Sequence, residues 1–485
     1  MRAALITRLL PLLLGAVSVF GFAPFYLFPL PVLTLAGLFF LLRGATAREA
    51  FLRGWLFGLG WFLAGVSWVY VSMHDVGGLV LPVAGGLTLL FAAFLALFHG
   101  GAAWLAARWP GRDDVRLLML LPVLWALSDW LRGWLLTGFP WQALGYSQAP
   151  YGPLAGYAPV LGVYGISWLA ALTAATLAWW RAWPLTLAAL LWLGGLGLER
   201  VAWTQPTGAP VTVSLLQGNV AQEMKFRPEK LVETLETYGR MVKDSDAALV
   251  ILPETAWPLF LDNVPREYAD DLIGHVRGRG GELLVGVAER ESDGTYYNSL
   301  VVLDGMLAPR YRKAHLVPFG EFVPFGFRWF VDAMAIPLSD FSRGDAGQPP
   351  MPVAGQKIAA NICYEDVFGE ELIHALPEAT LMLNVSNDAW FGDSFAPWQH
   401  HQIAQMRALE TGRWWLKANN TGITAVIDEK GRTVARLPPF VTDSLHSEAQ
   451  GMAGATPYSR WGNAVFLVLA AAVLAAAGWR ARRGR

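Results

Sequence analysis

The sequence predicts two unlike parts, a set of membrane-crossing α-helices and a layered α/β domain. Three observations carry this reading. Hydrophobic residues make up 54% of the 485-residue chain and charged residues only 15%, well below the roughly 25% charge of an ordinary soluble domain. Charge is also unevenly placed. Residues 1–205 are mostly long apolar runs broken by short Arg, Gly and Pro clusters, whereas residues 210–450 hold most of the Asp, Glu and His. Finally, 23 tryptophans and 26 phenylalanines suit a chain that meets lipid, because aromatic rings gather at membrane interfaces. The net charge of −1 offers no electrostatic footprint for nucleic acid.

Seven candidate spans precede the polar region, near 9–24, 27–42, 53–72, 79–106, 115–134, 161–180 and 183–199, and an eighth lies near 461–479. Several are close to the lower length limit for a span. The first is read as a retained helix and not a removed signal, since further spans follow at once and no small-residue cleavage site stands out. Basic clusters set the orientation. Arg2 and Arg8, then Arg43, Arg48 and Arg53, then Arg108, Arg112 and Arg116, then Arg181, and finally Arg480, Arg482, Arg483 and Arg485 fall on one side if the count is eight. The positive-inside rule makes that side, with both termini, cytoplasmic. Arg132 is a local exception. The expected division is a seven-helix transmembrane region over 1–205, an outer-face domain over 210–450, an eighth helix over 461–479 and a basic cytoplasmic tail over 480–485. No span shows a clear set of paired internal carboxylates or bases, which weighs against an ion-coupled transporter. Eight helices exceed what an anchor needs and suggest a lateral lipid cavity or a transport path.

Within the polar domain, strands are predicted over 211–216, 247–252, 282–287, 299–303, 357–362, 380–385, 415–418, 423–427 and 433–437. Helices are predicted over 228–243, 268–279 and 399–411. Val, Ile and Leu-rich strands separated by helices argue an α/β or layered α-β-β-α arrangement, with the balance of parallel and antiparallel pairing left open.

Reactive groups fall just beyond strand ends, where a rigid sheet aims side chains into a cleft. Cys363 is the sole cysteine, so an internal disulfide is impossible. It is either a buried, inert hydrophobe or, at a strand-to-loop transition, a nucleophile able to attack an ester and hold the acyl group as a thioester. Its neighbours Glu365 and Asp366 do not favour a thiolate, so a cation or base must help. Lys313 is the candidate cation and Glu254, after the strand over 247–252, a candidate base. Taken singly, a residue such as Lys313 is more often a solvated surface lysine, and one such as His315 is often a structural hydrogen-bonder. His400 and His401 are adjacent, point to different faces of a helix and form no metal-ligand spacing; they are expected at the surface or as caps.

On these residues the chain resembles the bacterial apolipoprotein N-acyltransferases, which join an eight-helix membrane part to a nitrilase-like domain. Residues 313–321 are the most specific match. Residues 361–365 agree with the family's nucleophile segment and 384–392 with a substrate-side loop, while Gln217-Gly218-Asn219 and the helix through 407–410 also fit. The resemblance covers almost the whole chain. It departs at Phe226, near a position where relatives often carry tryptophan, and at Trp414-Trp415, which is more aromatic than expected.

The resemblance implies a multi-spanning α-helical membrane domain plus a nitrilase-like α-β-β-α catalytic domain. It implies a Glu–Lys–Cys triad at Glu254, Lys313 and Cys363. Glu321 is then a second glutamate that positions the triad, Tyr364 and Glu365 support the nucleophile, and Trp390 lies on the substrate side. Trp257 and Trp390 either line the entrance or pack in the core. The implied reaction is ping-pong. An acyl chain moves from a phospholipid, preferably phosphatidylethanolamine, through a Cys363 thioester to the α-amine of the S-diacylglyceryl-cysteine at an apolipoprotein N-terminus. No cofactor and no metal is implied, and the family points to a monomer in the bacterial inner membrane with its catalytic domain in the periplasm. The competing reading is a membrane-bound carbon–nitrogen hydrolase, which would share the triad but release the acyl group to water.

Overall fold

The computed structural model describes residues 2–483 except 226, 305–308, 324–325, 327 and 329–339. Phe226 and the end of the basic tail, 484–485, therefore lie outside the described residues. The chain divides into two compact units. One comprises Met1–Tyr70, Val80–Ala202 and Thr456–Arg485, and the other Val71–Leu79 and Trp203–Ala455. The segment Val71–Leu79 departs from the expected linear division. Its Ser72 Oγ donates to the Trp390 carbonyl at 2.8 Å, which ties it to the second unit.

In the helical unit, helices occupy the expected apolar runs: Arg2–Val17, Pro29–Leu41, Ala47–Gly65, Leu81–Arg108, Leu121–Arg132, Ala158–Trp179, Ala182–Leu198 and Ala464–Arg483. Among the described residues, Leu81–Arg108, Pro153–Trp179 and Ala464–Arg483 are long and apolar enough to cross a membrane. Ala47–Gly65 with Trp68–Val76, bent by 53°, makes a fourth if it is one span, and Leu9–Gly21, Pro29–Leu41 and Ala182–Leu198 are shorter apolar helices. Small residues let the first and third helices meet backbone to backbone. A Cβ at Gly60 would lie 2.0 Å from Leu12 O, and one at Gly15 1.9 Å from Phe57 O.

One expectation for this unit is overturned. Paired ionisable groups do lie inside it: Arg132 Nη2 donates to Asp129 Oδ1 at 3.1 Å, and His99 Nε2 stands 3.7 Å from the same oxygen, all three side chains being buried. Asp129 Oδ2 accepts from Leu144 N at 2.9 Å and Ser167 Oγ at 3.1 Å. Arg132 Nη1 donates to the carbonyls of Phe139 and Trp141, and the His99 ring stacks on Trp125 at 4.1 Å. Arg132 breaks the pattern of basic residues because it faces a buried partner and the backbone after its helix.

The second unit is a four-layered α-β-β-α sandwich. Its seven-stranded sheet runs in the order Asp443–Ala449, Val211–Gln217, Leu249–Ile251, Glu282–Arg290, Tyr296–Val302 and Arg310–Arg312, with Trp257–Phe260 also pairing Glu282–Arg290. The three strands Val211–Gln217, Leu249–Ile251 and Glu282–Arg290 are parallel. The six-stranded sheet runs Thr433–Arg436, Ala425–Ile427, Trp414–Asn419, Leu381–Ser386, Gln356–Ile362 and Met351–Val353, again with three parallel strands at its centre. Between the sheets pack Val213, Leu215, Leu249, Ile251 and Leu284 on one side and Ile358, Ile362, Leu383, Val385 and Leu416 on the other. These strands are apolar on both faces because helices cover the outside. Pro228–Asp244 and Arg266–Gly278 pack on the first sheet through Leu235, Tyr238, Leu272 and Val276. Ala396–Thr411 packs on the second through Ala404 and Ala408. The buried Arg407–Glu410 pair, 2.8 Å apart, lies within this last helix.

Candidate active site

Both sheets point the ends of their parallel strands at one place. Leu249–Ile251 delivers Pro253 and Glu254, and Gln356–Ile362 delivers Cys363. The turn after Leu249–Ile251 crosses so close to its neighbour that a Cβ at Gly286 would lie 2.2 Å from Pro253 O and 2.8 Å from Glu254 Cα. Thr255, next to Glu254, has φ +44°, and Cys363 has φ +54°. A left-handed backbone at such residues costs about 1–3 kcal/mol and persists only where the surroundings hold it. At Cys363 the Asn384 Nδ2 donor holds it, 3.0 Å from the cysteine carbonyl, while also donating to Asn361 Oδ1 at 2.6 Å.

Lys313 follows the strand Arg310–Arg312, and its amide donates to Asn298 O at 2.8 Å. Its ammonium, 1% exposed, lies 2.8 Å from Glu321 Oε2 and 3.6 Å from Glu254 Oε1. Asn298 Nδ2 bridges the two carboxylates, donating to Glu254 Oε1 at 2.7 Å and Glu321 Oε1 at 2.9 Å. Glu321 Oε2 also accepts from Val317 N at 2.9 Å. Burial works against the charge on Lys313, but Glu321 and Glu254 outweigh it and hold the ammonium well above the ordinary lysine range. Burial and the Glu254 carboxylate push the Cys363 thiol above its usual range, with Lys313 pulling the other way. The resting thiol is thus protonated at neutral pH and needs a base to react.

Glu365 closes the loop around Cys363 from below. It accepts from Ile362 N at 2.7 Å, Ala314 N at 2.8 Å, His315 N at 2.9 Å and Tyr311 Oη at 2.9 Å. Burial pushes its carboxyl up to about 7, while the His315 amide and Lys313 draw it down. One carboxylate therefore ties the nucleophile loop to the segment that carries Lys313. Tyr364 turns away and packs edge-on against Phe368 at 5.1 Å. His315 stacks on Phe368 at 3.7 Å and pairs with Glu371 at 2.9 Å.

Of the residues singled out from sequence, Glu254, Lys313, Glu321, Cys363 and Glu365 come together. Trp390 sits half-buried in the turn Asp388–Phe391, its carbonyl taken by Ser72. Trp257 does not line an entrance: it is fully buried and packs edge-on to Tyr268 at 5.5 Å. His400 and His401 are neither surface nor capping residues. His400 is clamped between Asp366 Oδ1 at 2.9 Å and Asp388 Oδ1 at 3.0 Å. Burial opposes its charge, but the carboxylates raise it to about 9. His401 contacts Thr433 Oγ1 at 2.8 Å, and burial with nearby Lys417 lowers it to about 3. Lys417 Nζ completes the network, 3.3 Å from Asp366 and 3.0 Å from Asn384 Oδ1. The chain from His400 thus reaches the cysteine through Asn384. Among the described residues no group of three or more His, Cys, Asp or Glu is arranged to hold a metal ion.

Sequence reasoning missed Lys225, Asn298 and Lys417, and gave Asp366 no partner beyond its place beside Cys363. An asparagine inside the apolar strand Tyr296–Val302, and a lysine inside Trp414–Asn419, were the readable signals.

Residues 14–176 match the family description "Apolipoprotein N-acyltransferase N-terminal domain" and residues 212–458 match "Carbon-nitrogen hydrolase". The chain is 51% identical to the apolipoprotein N-acyltransferase of Nitrosomonas europaea over 97% of each chain. It is 48% identical to that of Chromobacterium violaceum over 99% of this chain and 95% of the relative, and 46% identical to that of Methylococcus capsulatus over 98% and 96%. Among solved structures, the C. elegans NitFhit protein aligns at 17% identity over 51% of this chain and 62% of its own, with a TM-score of 0.39. Full-length identity near one half, joined to both domains, makes this chain a member of the apolipoprotein N-acyltransferase family.

Proposed function

We propose that this acyltransferase works by a ping-pong mechanism on Glu254, Lys313 and Cys363. Glu254 takes the thiol proton as Cys363 sulfur attacks the ester carbonyl of a phospholipid. Lys313, with backbone donors, stabilises the oxyanion that develops. The tetrahedral adduct collapses, the C–O bond breaks, and Glu254 returns the proton to the departing lysophospholipid. The acyl group remains on Cys363 as a thioester. The α-amine of an S-diacylglyceryl-cysteine then attacks, Glu254 accepts the amine proton, and Cys363 leaves as thiolate and is reprotonated. Glu321 and Asn298 keep Glu254 and Lys313 in register throughout.

The observation that carries this reading is a buried ammonium shared by Glu254 and Glu321, with Glu254 and Lys313 exerting opposite electrostatic effects on the Cys363 thiol. Phosphatidylethanolamine as donor, a diacylated apolipoprotein as acceptor, a monomer, and an inner-membrane protein with eight spans and a periplasmic catalytic domain belong to the same proposal. The helices then hold acyl tails while the α-β-β-α unit holds the reacting atoms.

The test is to give the purified enzyme phosphatidylethanolamine with a labelled acyl chain and a diacylated lipopeptide. Label on the peptide α-amine, abolished by Cys363→Ala, is expected. Label released only as free fatty acid would favour the carbon–nitrogen hydrolase reading instead.

A further inference from the structure

Lys225 lies in the four-residue helix Gln222–Lys225 and is only 2% exposed. A buried lysine needs partners for its donors and for its charge. Its Nζ donates to the Glu254 carbonyl at 3.1 Å and to Thr255 Oγ1 at 2.5 Å. Those two residues form the strained turn after Leu249–Ile251, with Thr255 at φ +44°. The Glu254 side chain is held from the other end by Asn298 and Lys313. The candidate base is therefore gripped by two lysines, one at its carboxylate and one at its backbone. The titratable groups facing Lys225 are Glu254 and Cys363.

We propose that Lys225 is a positioning residue for acyl transfer: its ammonium pins the strained turn that presents Glu254. The inference rests on the thioester reading above. It assigns work to a residue outside the Glu–Lys–Cys set, on a segment that shares no strand with it. The ammonium acts in its charged form. Burial lowers Lys225 to about 8, with Glu254 and Cys363 opposing the shift. Lys313 and Cys363 are both held above their ordinary ranges, so neither competes with Lys225 as a group losing a proton near that pH. Loss of that proton leaves the Glu254 carbonyl and Thr255 without their cation and slows the first half-reaction.

The experiment follows acylation of Cys363 in the full-length enzyme by labelled phosphatidylethanolamine in mixed micelles, without acceptor, from about pH 6 to about pH 10. Wild type, Lys225→Met and Lys225→Arg are compared. Wild type is expected to lose rate above about pH 8. Lys225→Met should be slower by about 10- to 100-fold, the scale of a catalytic group displaced by around an ångström, and should show no alkaline fall. Lys225→Arg should recover much of the rate and also stay flat to higher pH. A Met variant within about threefold of wild type, or an alkaline fall unchanged in the variants, overturns the proposal. If the Met variant does not fold, the Arg profile decides by itself. A wild type that forms no acyl-cysteine at all defeats the thioester reading, and this inference with it.

Discussion

Two buried ionic clusters, the Asp129 group of the helical unit and the Lys313 group of the α-β-β-α unit, differ in what they are bound to. In the helical unit, Asp129 meets Arg132 and His99, and the other contacts go to the Ser167 hydroxyl and to backbone at Phe139 O, Trp141 O and Leu144 N. The cluster fastens a loop. In the α-β-β-α unit, Lys313 is shared between Glu254 and Glu321, and the assembly faces a cysteine on a left-handed backbone. Burial of charge is common to both. Only the second adds a cysteine, the proposed nucleophile, together with a carboxylate proposed to take its proton and a left-handed backbone at Cys363, the combination that the proposed chemistry needs. A perturbed, buried charge is thus a poor marker of an active site until its partners are named.

Substitutions sharpen the contrast. The largest effect is expected on stability in the helical unit. Asp129→Ala leaves Arg132 buried without its carboxylate, which should cost about 3–5 kcal/mol. It should lower the thermal unfolding midpoint, while the acylation rate per folded molecule stays near wild type. Loss of acylation without loss of stability would erase the distinction between the clusters. Lys313→Met is expected to do the reverse. It removes the oxyanion's cation and should lower the rate of Cys363 acylation by about 10²–10³-fold, or about 3–4 kcal/mol of transition-state stabilisation, as read in single-turnover label transfer. A rate within tenfold of wild type would remove Lys313 from the mechanism.

The smallest effect is a pH dependence of stability from the network behind Cys363. His400, facing Asp366, Asp388 and Lys417, is raised above its unfolded value to about 9. Its contribution is therefore fully present below about pH 6.5 and is lost as pH rises through about 9. The unfolding midpoint of wild type should decline across that window, and His400→Gln should flatten the decline. A decline of equal size in the variant would assign it to another group.

Much of this was legible in the sequence, for physical reasons that can be named. The central strands could be read because they are apolar on both faces, and Glu254 and Cys363 because each follows such a strand. The edge strand Asp443–Ala449 was missed since its exposed, polar positions carry no alternation strong enough to mark it. Asp129 and Arg132 stand one helical turn apart and could have been paired by eye. His99 could not, because it comes from a different helix. The same holds for His400, whose partner Asp366 is 34 residues away, and for Lys225, whose four-residue helix offers no periodicity. Their roles come from chain crossings that only the folded sheets create.

The central claim is that Cys363 carries the acyl group between donor and acceptor. The most direct measurement is the mass of the peptide containing Cys363 after the enzyme meets phosphatidylethanolamine alone, before and after neutral hydroxylamine. The account predicts one acyl chain on Cys363 that hydroxylamine removes and that a diacylated lipopeptide discharges. An unmodified Cys363 in an enzyme that still acylates the lipopeptide would contradict it, since the acyl group would then pass directly from lipid to amine.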